Sequence, residues 1–346
     1  DLLRMFEAPT KALLTDKDSA VRRAFLGSVT SLCVVFGDSR ANDAILGHLN
    51  TYLNDKDWML KCAFFETIVG VASYVGGTSL EEFVLPLMVQ ALTDPEEFVV
   101  ERVLRALSSI AQLGLFQRSK TWELVDVVGR FTIHPNIWIR EAAAQFVSSA
   151  TTYLSTADTH SIIVPLIRPY LKVSPSDTTE LRLLDSLKKP MPRAVLDIAS
   201  TWALQGDSGL FWKPAQQQRT FSSSSAGEAM PIVSARDPGP RTLSKIPKNE
   251  DDEKWLARLK GVGMTSDDEF KLIALQEYIW RSAHRRKVEE SAETQTSFNG
   301  IVKLKDLGIN PQIVFFDHNV DLLGQGGDLQ PEEKPPPRTL TDALLD

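Results

Sequence analysis

The chain has 346 residues, 43% of them hydrophobic, enough to bury a large core, and its 38 basic against 45 acidic residues leave a net charge of −7, which argues against a nucleic-acid binder. No run of about 18 uninterrupted apolar residues exists, so nothing reads as a membrane span. Two cysteines, Cys33 and Cys62, fall on apolar helix faces and read as packed free thiols of a reducing compartment rather than as a redox pair.

The chain opens at Asp1 without an initiator Met, signal peptide or lipidation motif, and reads as an internal fragment of a longer cytosolic protein. Leu2 to Leu14 forms the first expected helix, with Leu2, Leu3, Phe6, Leu13 and Leu14 as its apolar positions and Pro9 interrupting it. It lacks the polar cap that the end of an array needs, so a further unit is expected on its N-terminal side. Then comes Asp16-Lys17-Asp18, a polar turn leading into an apolar run with helical spacing. The arrangement returns at Asp55-Lys56-Asp57, Asp94-Pro95-Glu96 and His134-Pro135-Asn136, at intervals of 39, 39 and 40 residues.

The helices behind these turns keep one register. Val21, Phe25, Val29, Leu32 and Phe36 become Leu60, Phe64, Ile68, Val71 and Val75 one period on; Val99, Val103, Leu107 and Ile110, then Ile139, Ala143, Phe146 and Ala150, draw the same face again. A two-helix unit of about 40 residues is the period of HEAT and armadillo arrays, whose units bury their apolar faces against their neighbours. The first helices of successive units are expected over Ala41 to Leu53, Leu80 to Leu92, Thr121 to Phe131 and Thr159 to Leu171. Pro86 and Pro165 should kink two of them by removing a backbone hydrogen bond, a feature that favours HEAT units over plain helical hairpins.

The acids of the turns read as caps for the helices they precede, and Arg22, Lys61 and Arg140, each six residues after the start of its turn, as bases reaching the turn of an adjacent unit. This acid and base recurrence reads as scaffolding of the array before it reads as a binding surface. Gly37 and Gly76 are expected to end helices in a left-handed cap.

Further helices are expected over Thr179 to Leu187, stopped by Pro190 and Pro192, and over Arg193 to Leu204. The array is therefore placed at 1–204. A Ser/Pro/Gly/Gln-rich stretch at 205–249 reads as a flexible linker with too few apolar residues to fold alone. A helical pair is expected at 250–290: Glu250 to Gly261, then a helix opened by a capping box at Ser266-Asp267-Asp268-Glu269. The second helix is expected to end in Arg281, His284, Arg285, Arg286 and Lys287. Such a cluster suits the helix dipole; its alternative role is contact with an acidic partner or anionic lipid, so Arg281, Arg285, Arg286 and Lys287 are candidate contact residues. The tail, 291–346, carries Val314, Phe315 and Phe316, too apolar to be left in water after a polar linker, and these form a candidate docking segment.

Several longer strings resemble one family: Leu32-Cys33-Val34-Val35-Phe36-Gly37, Phe64-Phe65-Glu66-Thr67-Ile68-Val69-Gly70, Gln112-Leu113-Gly114-Leu115, His134-Pro135-Asn136-Ile137-Trp138-Ile139-Arg140, and Leu304-Lys305-Asp306-Leu307-Gly308-Ile309 with Pro311 to Phe316. The family is the regulatory subunit of the class III phosphatidylinositol 3-kinase complex, a vacuolar protein sorting protein with a kinase-like domain, a HEAT array and a WD-repeat propeller. The resemblance implies a protein-interaction scaffold working in vacuolar and endosomal sorting and in autophagy. Its implied partners are the lipid kinase catalytic subunit, the coiled-coil autophagy and sorting subunits, and the parent's own kinase-like and WD-repeat domains; it implies contact with membranes only through the complex. The glycine-rich loop, catalytic Asp loop and Asp-Phe-Gly type site of the kinase-like domain are not in this sequence, nor is the N-terminal Gly that the family lipidates. The chain is thus expected to be the middle of its parent, with no catalytic, cofactor or metal residues.

Two other readings compete with this one. A HEAT-type metal-dependent hydroxylase would hold iron with His-Glu pairs, and none of His48, His134, His160, His284 or His318 is followed by Glu. An unrelated HEAT adaptor such as a transport receptor is the alternative that period alone leaves open.

Overall fold

The computed structural model describes residues 2–37, 41, 45, 50–205, 209–213 and 246–296. One compact unit runs from Asp1 to Gln295. A second, Thr296–Asp346, lies outside the described residues apart from Thr296, and with it Val314, Phe315 and Phe316.

The fold is an all-α solenoid. Helix α1 (Leu2–Leu14) packs on α2 (Ser19–Phe36). The second helices of successive units, α2, α3 (Trp58–Ser79), α5 (Glu97–Gln112), α7 (Ile137–Thr151) and α9 (Glu180–Ser186), lie side by side in chain order. First helices back them: α4 (Leu85–Ala91) on α5, α6 (Arg118–Gly129) on α7, and α8 (Val164–Ile167) on α6. Much of the expected helix at Ala41 to Leu53 lies outside the described residues, but Ala41, Ile45 and Tyr52 are in the core. The apolar register read from the sequence is the one buried: Val29, Cys33 and Phe36, then Leu60, Phe64, Ile68 and Val71, then Val99, Val103 and Leu107, then Ile139, Ala143 and Phe146. On mean hydropathy, 1.3 in each, Ser19–Phe36 and Trp58–Ala91 would pass for membrane spans. Here their apolar faces interlock in the stack.

Four expectations about local structure are corrected. Phe6 and Leu13 of α1 are exposed, while Leu14 and Thr10 are buried. Gly37 and Gly76 have φ of 76° and 81° but ψ of 161° and 170°, an extended mirror-image conformation rather than a left-handed helical cap. The prolines act through a turn of wider helix: π-helical turns Leu80–Val84 and Thr159–Ile163 stand immediately before Leu85-Pro86 and Val164-Pro165. The extra residue in each π turn accommodates the missing proline N–H and its ring. The fourth correction is the linker, which does not begin at 205. Phe211 and Trp212 are fully buried, Phe211 stacked on Trp202 of α10 (Arg193–Gln205) at 4.6 Å.

The C-terminal part is three helices rather than a pair. Helix α11 (Glu250–Gly261) is opened by a capping box between Asn249 and Asp252. The same Asp252 oxygen, Oδ2, that accepts the Asn249 amide also accepts from the Leu210 and Phe211 amides, which ties α11 to the segment that follows α10. The next capping box is Thr265 with Asp268, one residue earlier than read, and α12 (Ser266–Ala274) stops at Leu275. Helix α13 (Gln276–Thr296) then continues well past the basic cluster.

Candidate interaction surface

The turns between helices are built alike. In each, the first acidic position accepts a hydrogen bond from the amide two residues on: Asp16 from Asp18, Asp55 from Asp57 and Asp94 from Glu96, at 2.8, 2.9 and 3.0 Å. The residue that donates this bond is in turn the N-cap, and Asp18, Asp57 and Asn136 each accept from the first turn of their helix. The remaining oxygen of the first carboxylate takes a base from the preceding unit. Arg22 pairs with Asp55, and Lys61 with Asp94 at 2.9 Å, the latter pair 4% and 3% exposed. These pairs fix one unit against the next.

The fourth turn breaks the rule at both ends. The residue six after Asp94 is Val100, which is buried and carries no charge, and the turn starts with His134 instead of Asp. The His134 Nδ1 accepts the Asn136 amide at 3.1 Å, as a carboxylate would, and Arg140 donates to the His134 and Pro135 carbonyls of its own turn. His134 Nε2 is buried without a hydrogen-bond partner, and the ring meets Tyr278 edge-on at 5.2 Å. Burial, with Arg193 and Arg140 nearby, pushes the imidazole down to about 4 against the opposing pull of Glu97, so it is neutral at pH 7. A carboxylate in this position would be a buried charge without the base that the preceding unit supplies at the other joints. The Cys33 and Cys62 thiols are pushed up by burial to about 11 and about 12, which leaves them protonated and unreactive.

The basic cluster is not at a helix end. Arg281 pairs with Glu277 at 3.0 Å, and Arg285 and Arg286 reach the array, donating to the Gln90 carbonyl at 3.3 Å and the Pro95 carbonyl at 2.9 Å. Lys287 is exposed on the same helix. With Phe131 against Tyr278 and Arg130 paired to Glu277, these contacts clamp α13 on the array. Arg281, Arg285 and Arg286 thus serve the chain's own fold, and the helix-dipole explanation fails because α13 runs on to Thr296.

What the sequence reading missed is a row of rings on the outside. Trp58 and Phe98 stack with centroids 5.5 Å apart, and Phe98 meets Trp138 at 5.6 Å. They are 37%, 48% and 51% exposed, and Met59 and Ile137 beside them are also open to water. Each ring stands in the first turn of its helix, at positions separated by 40 and 40 residues. That spacing was the available signal. At the other end of these helices a cleft of about 210 Å³ opens between α5, α6 and α7, where Arg118, paired with Asp158, stands beside Gly114, Tyr153 and Ser155. Among the described residues no group of three or more His, Cys, Asp or Glu side chains is placed to hold a metal ion.

Residues 1–200 match the family model described as PIK3R4-like, middle domain. The chain is similar to a Candida glabrata protein named non-specific serine/threonine protein kinase, with 28% identity over 336 residues covering 91% of this chain and 24% of that protein. It is also similar to the serine/threonine-protein kinase vps15 of Schizosaccharomyces pombe (30% identity, 100% of this chain, 21% of that protein) and to VPS15 of Saccharomyces cerevisiae (29%, 91% and 24%). The chain spans no more than about a quarter of the length of these relatives.

Proposed function

The chain belongs to the PIK3R4-like family through its middle domain, and from that premise we propose that it is the helical HEAT-type scaffold of a class III phosphatidylinositol 3-kinase regulatory subunit. In this reading it holds the lipid kinase catalytic subunit and the coiled-coil sorting and autophagy subunits together on endosomal, vacuolar and autophagosomal membranes. It reaches those membranes through the assembly and performs no phosphoryl transfer; the kinase named in the relatives lies in the part of them that this chain does not span. The observation that carries the reading is the outer row Trp58, Phe98 and Trp138. Large aromatic side chains left half in water on three successive units, the first two of which are fixed to each other by the buried Lys61–Asp94 pair, are what an interaction scaffold presents.

The test is retention of purified lipid kinase and coiled-coil subunits on the immobilised chain, together with a phosphate-transfer assay. Retention without transfer is expected. Failure to retain any subunit overturns the scaffold, and transfer by the chain alone overturns its non-catalytic role.

A further inference from the structure

The base six residues into a unit can serve two sites, and one unit has lost it. Arg22 donates inward to the Asp16 and Lys17 carbonyls of its own turn and pairs outward with Asp55 of the next. Arg140 makes the inward bonds, to the His134 and Pro135 carbonyls at 2.9 and 2.7 Å, and Lys61 the outward one, to Asp94 at 2.9 Å. In the third unit the position is Val100. No base of that unit can then cap the carbonyls of the 94 turn, and none can reach residue 134 of the next turn.

Helix α13 meets both sites. Arg286 donates to the Pro95 carbonyl at 2.9 Å, and the Tyr278 ring stands edge-on to His134 at 5.2 Å. Eight residues of helix span about 12 Å, enough to step across the about 8–10 Å between packed neighbours. One helix laid over two adjacent turns therefore serves both. Arg285 adds a bond to the Gln90 carbonyl at the end of α4, at 3.3 Å. Other contacts cross the same joint: Glu97, paired with Arg193 of α10, holds the Asn136 side chain at 2.7 Å, and Arg105 and Gln112 bind Gln145 and Ser149 further along α5 and α7. None of these touches the Pro95 carbonyl or the His134 ring, the two groups that α13 takes.

We infer that α13 is a strap that stands in for the missing base of the third unit, so that its docking sets the stiffness of the one joint between the 94 and 134 turns. Arg286 replaces the inward half of the base. Tyr278 replaces the outward half, with a ring instead of a cation because residue 134 is a neutral imidazole and needs no counter-charge. Release of α13 loosens the turn end of this joint and leaves the joints built on Arg22 and Lys61 as they are. The array thus has one bendable point, held by a side chain 191 residues from the carbonyl it binds. This concerns the mechanics of the array and holds whatever the array binds.

The experiment is hydrogen exchange read by mass spectrometry on the full chain. Arg286→Met should speed exchange of amides 96–101, and Tyr278→Leu that of amides 136–141, by about tenfold each, while amides 18–23 and 57–62 change less than about twofold. Faster exchange confined to α13, or spread evenly over all four turns, overturns the inference. A second background tests the substitution itself. Val100→Lys with His134→Asp copies the Lys61–Asp94 pair into this joint. There the α13 variants should leave both turns within about twofold of their protected rates while α13 itself still exchanges faster. Loosening of the two turns in that background, with the chain folded, shows that α13 does not replace the base and overturns the inference. The first comparison does not use the copied pair, so it decides the matter if that pair prevents folding.

Discussion

At the scale of single residues, exchange at two linked positions changes the chemistry of a joint. Lys61 and Asp94 form a buried pair, and one unit later the base has become Val100 and the acid His134, so neither is left charged alone. Lys61→Met should cost about 3–5 kcal/mol because it strands Asp94 in the interior, whereas Lys11→Met, which removes an exposed i,i+4 pair with Glu7, should cost less than about 1 kcal/mol. Urea denaturation of the two variants checks the contrast. His134 supplies a pH signature. Its folded pKa is depressed to about 4, so the unfolded chain takes up the proton first, and stability should fall as the pH drops below the ordinary histidine value of about 6.5. Between pH 6.5 and 5 the loss should be roughly 2 kcal/mol, read as a fall in the denaturation midpoint. His134→Asn should flatten that slope, and a slope unchanged by the substitution would show that other groups produce it.

At the scale of helices, the period and the caps explain why each element begins where it does. Asp57 accepts from both the Met59 and Leu60 amides at the start of α3. Its replacement by Ala should cost about 1 kcal/mol. Phe64, further along α3, is 1% exposed between Tyr52 and Phe65, and Phe64→Ala should cost about 3–5 kcal/mol. Thermal melts of the two variants should therefore separate clearly. Phe98→Ala in the equivalent first turn of α5 should lie nearer the first than the second, since its ring is half in water. The capping boxes were legible to within one residue, as Thr265 and Ser266 are both able caps and only the backbone geometry chooses between them.

For the molecule as a whole, the C-terminal helices are joined to the array by a short apolar segment within a polar stretch. Phe211 and Trp212 pack on Trp202, and the neighbouring amides of Leu210 and Phe211 bind Asp252 of α11. Trp212→Ala should cost about 3–5 kcal/mol, comparable to Phe64→Ala, although composition assigns it to a linker. A cost below about 1 kcal/mol would show that this joint contributes little to the fold.

By itself the sequence determined the all-α class, the unit of about 40 residues, the buried register and the acid and base recurrence at the joints. Each of these is a local or periodic property, set by the helical repeat of 3.6 residues and by caps that act within a few positions. Tertiary structure alone decided three things: that Arg285 and Arg286 clamp α13 on the array, that Phe211 and Trp212 are core, and that Trp58, Phe98 and Trp138 are not. Burial of an aromatic side chain depends on whether another element covers it. For Arg285 and Gln90 the partners lie 195 residues apart, and the segment of Phe211 and Trp212 is held by Asp252, 41 residues from Phe211, at positions outside the repeat.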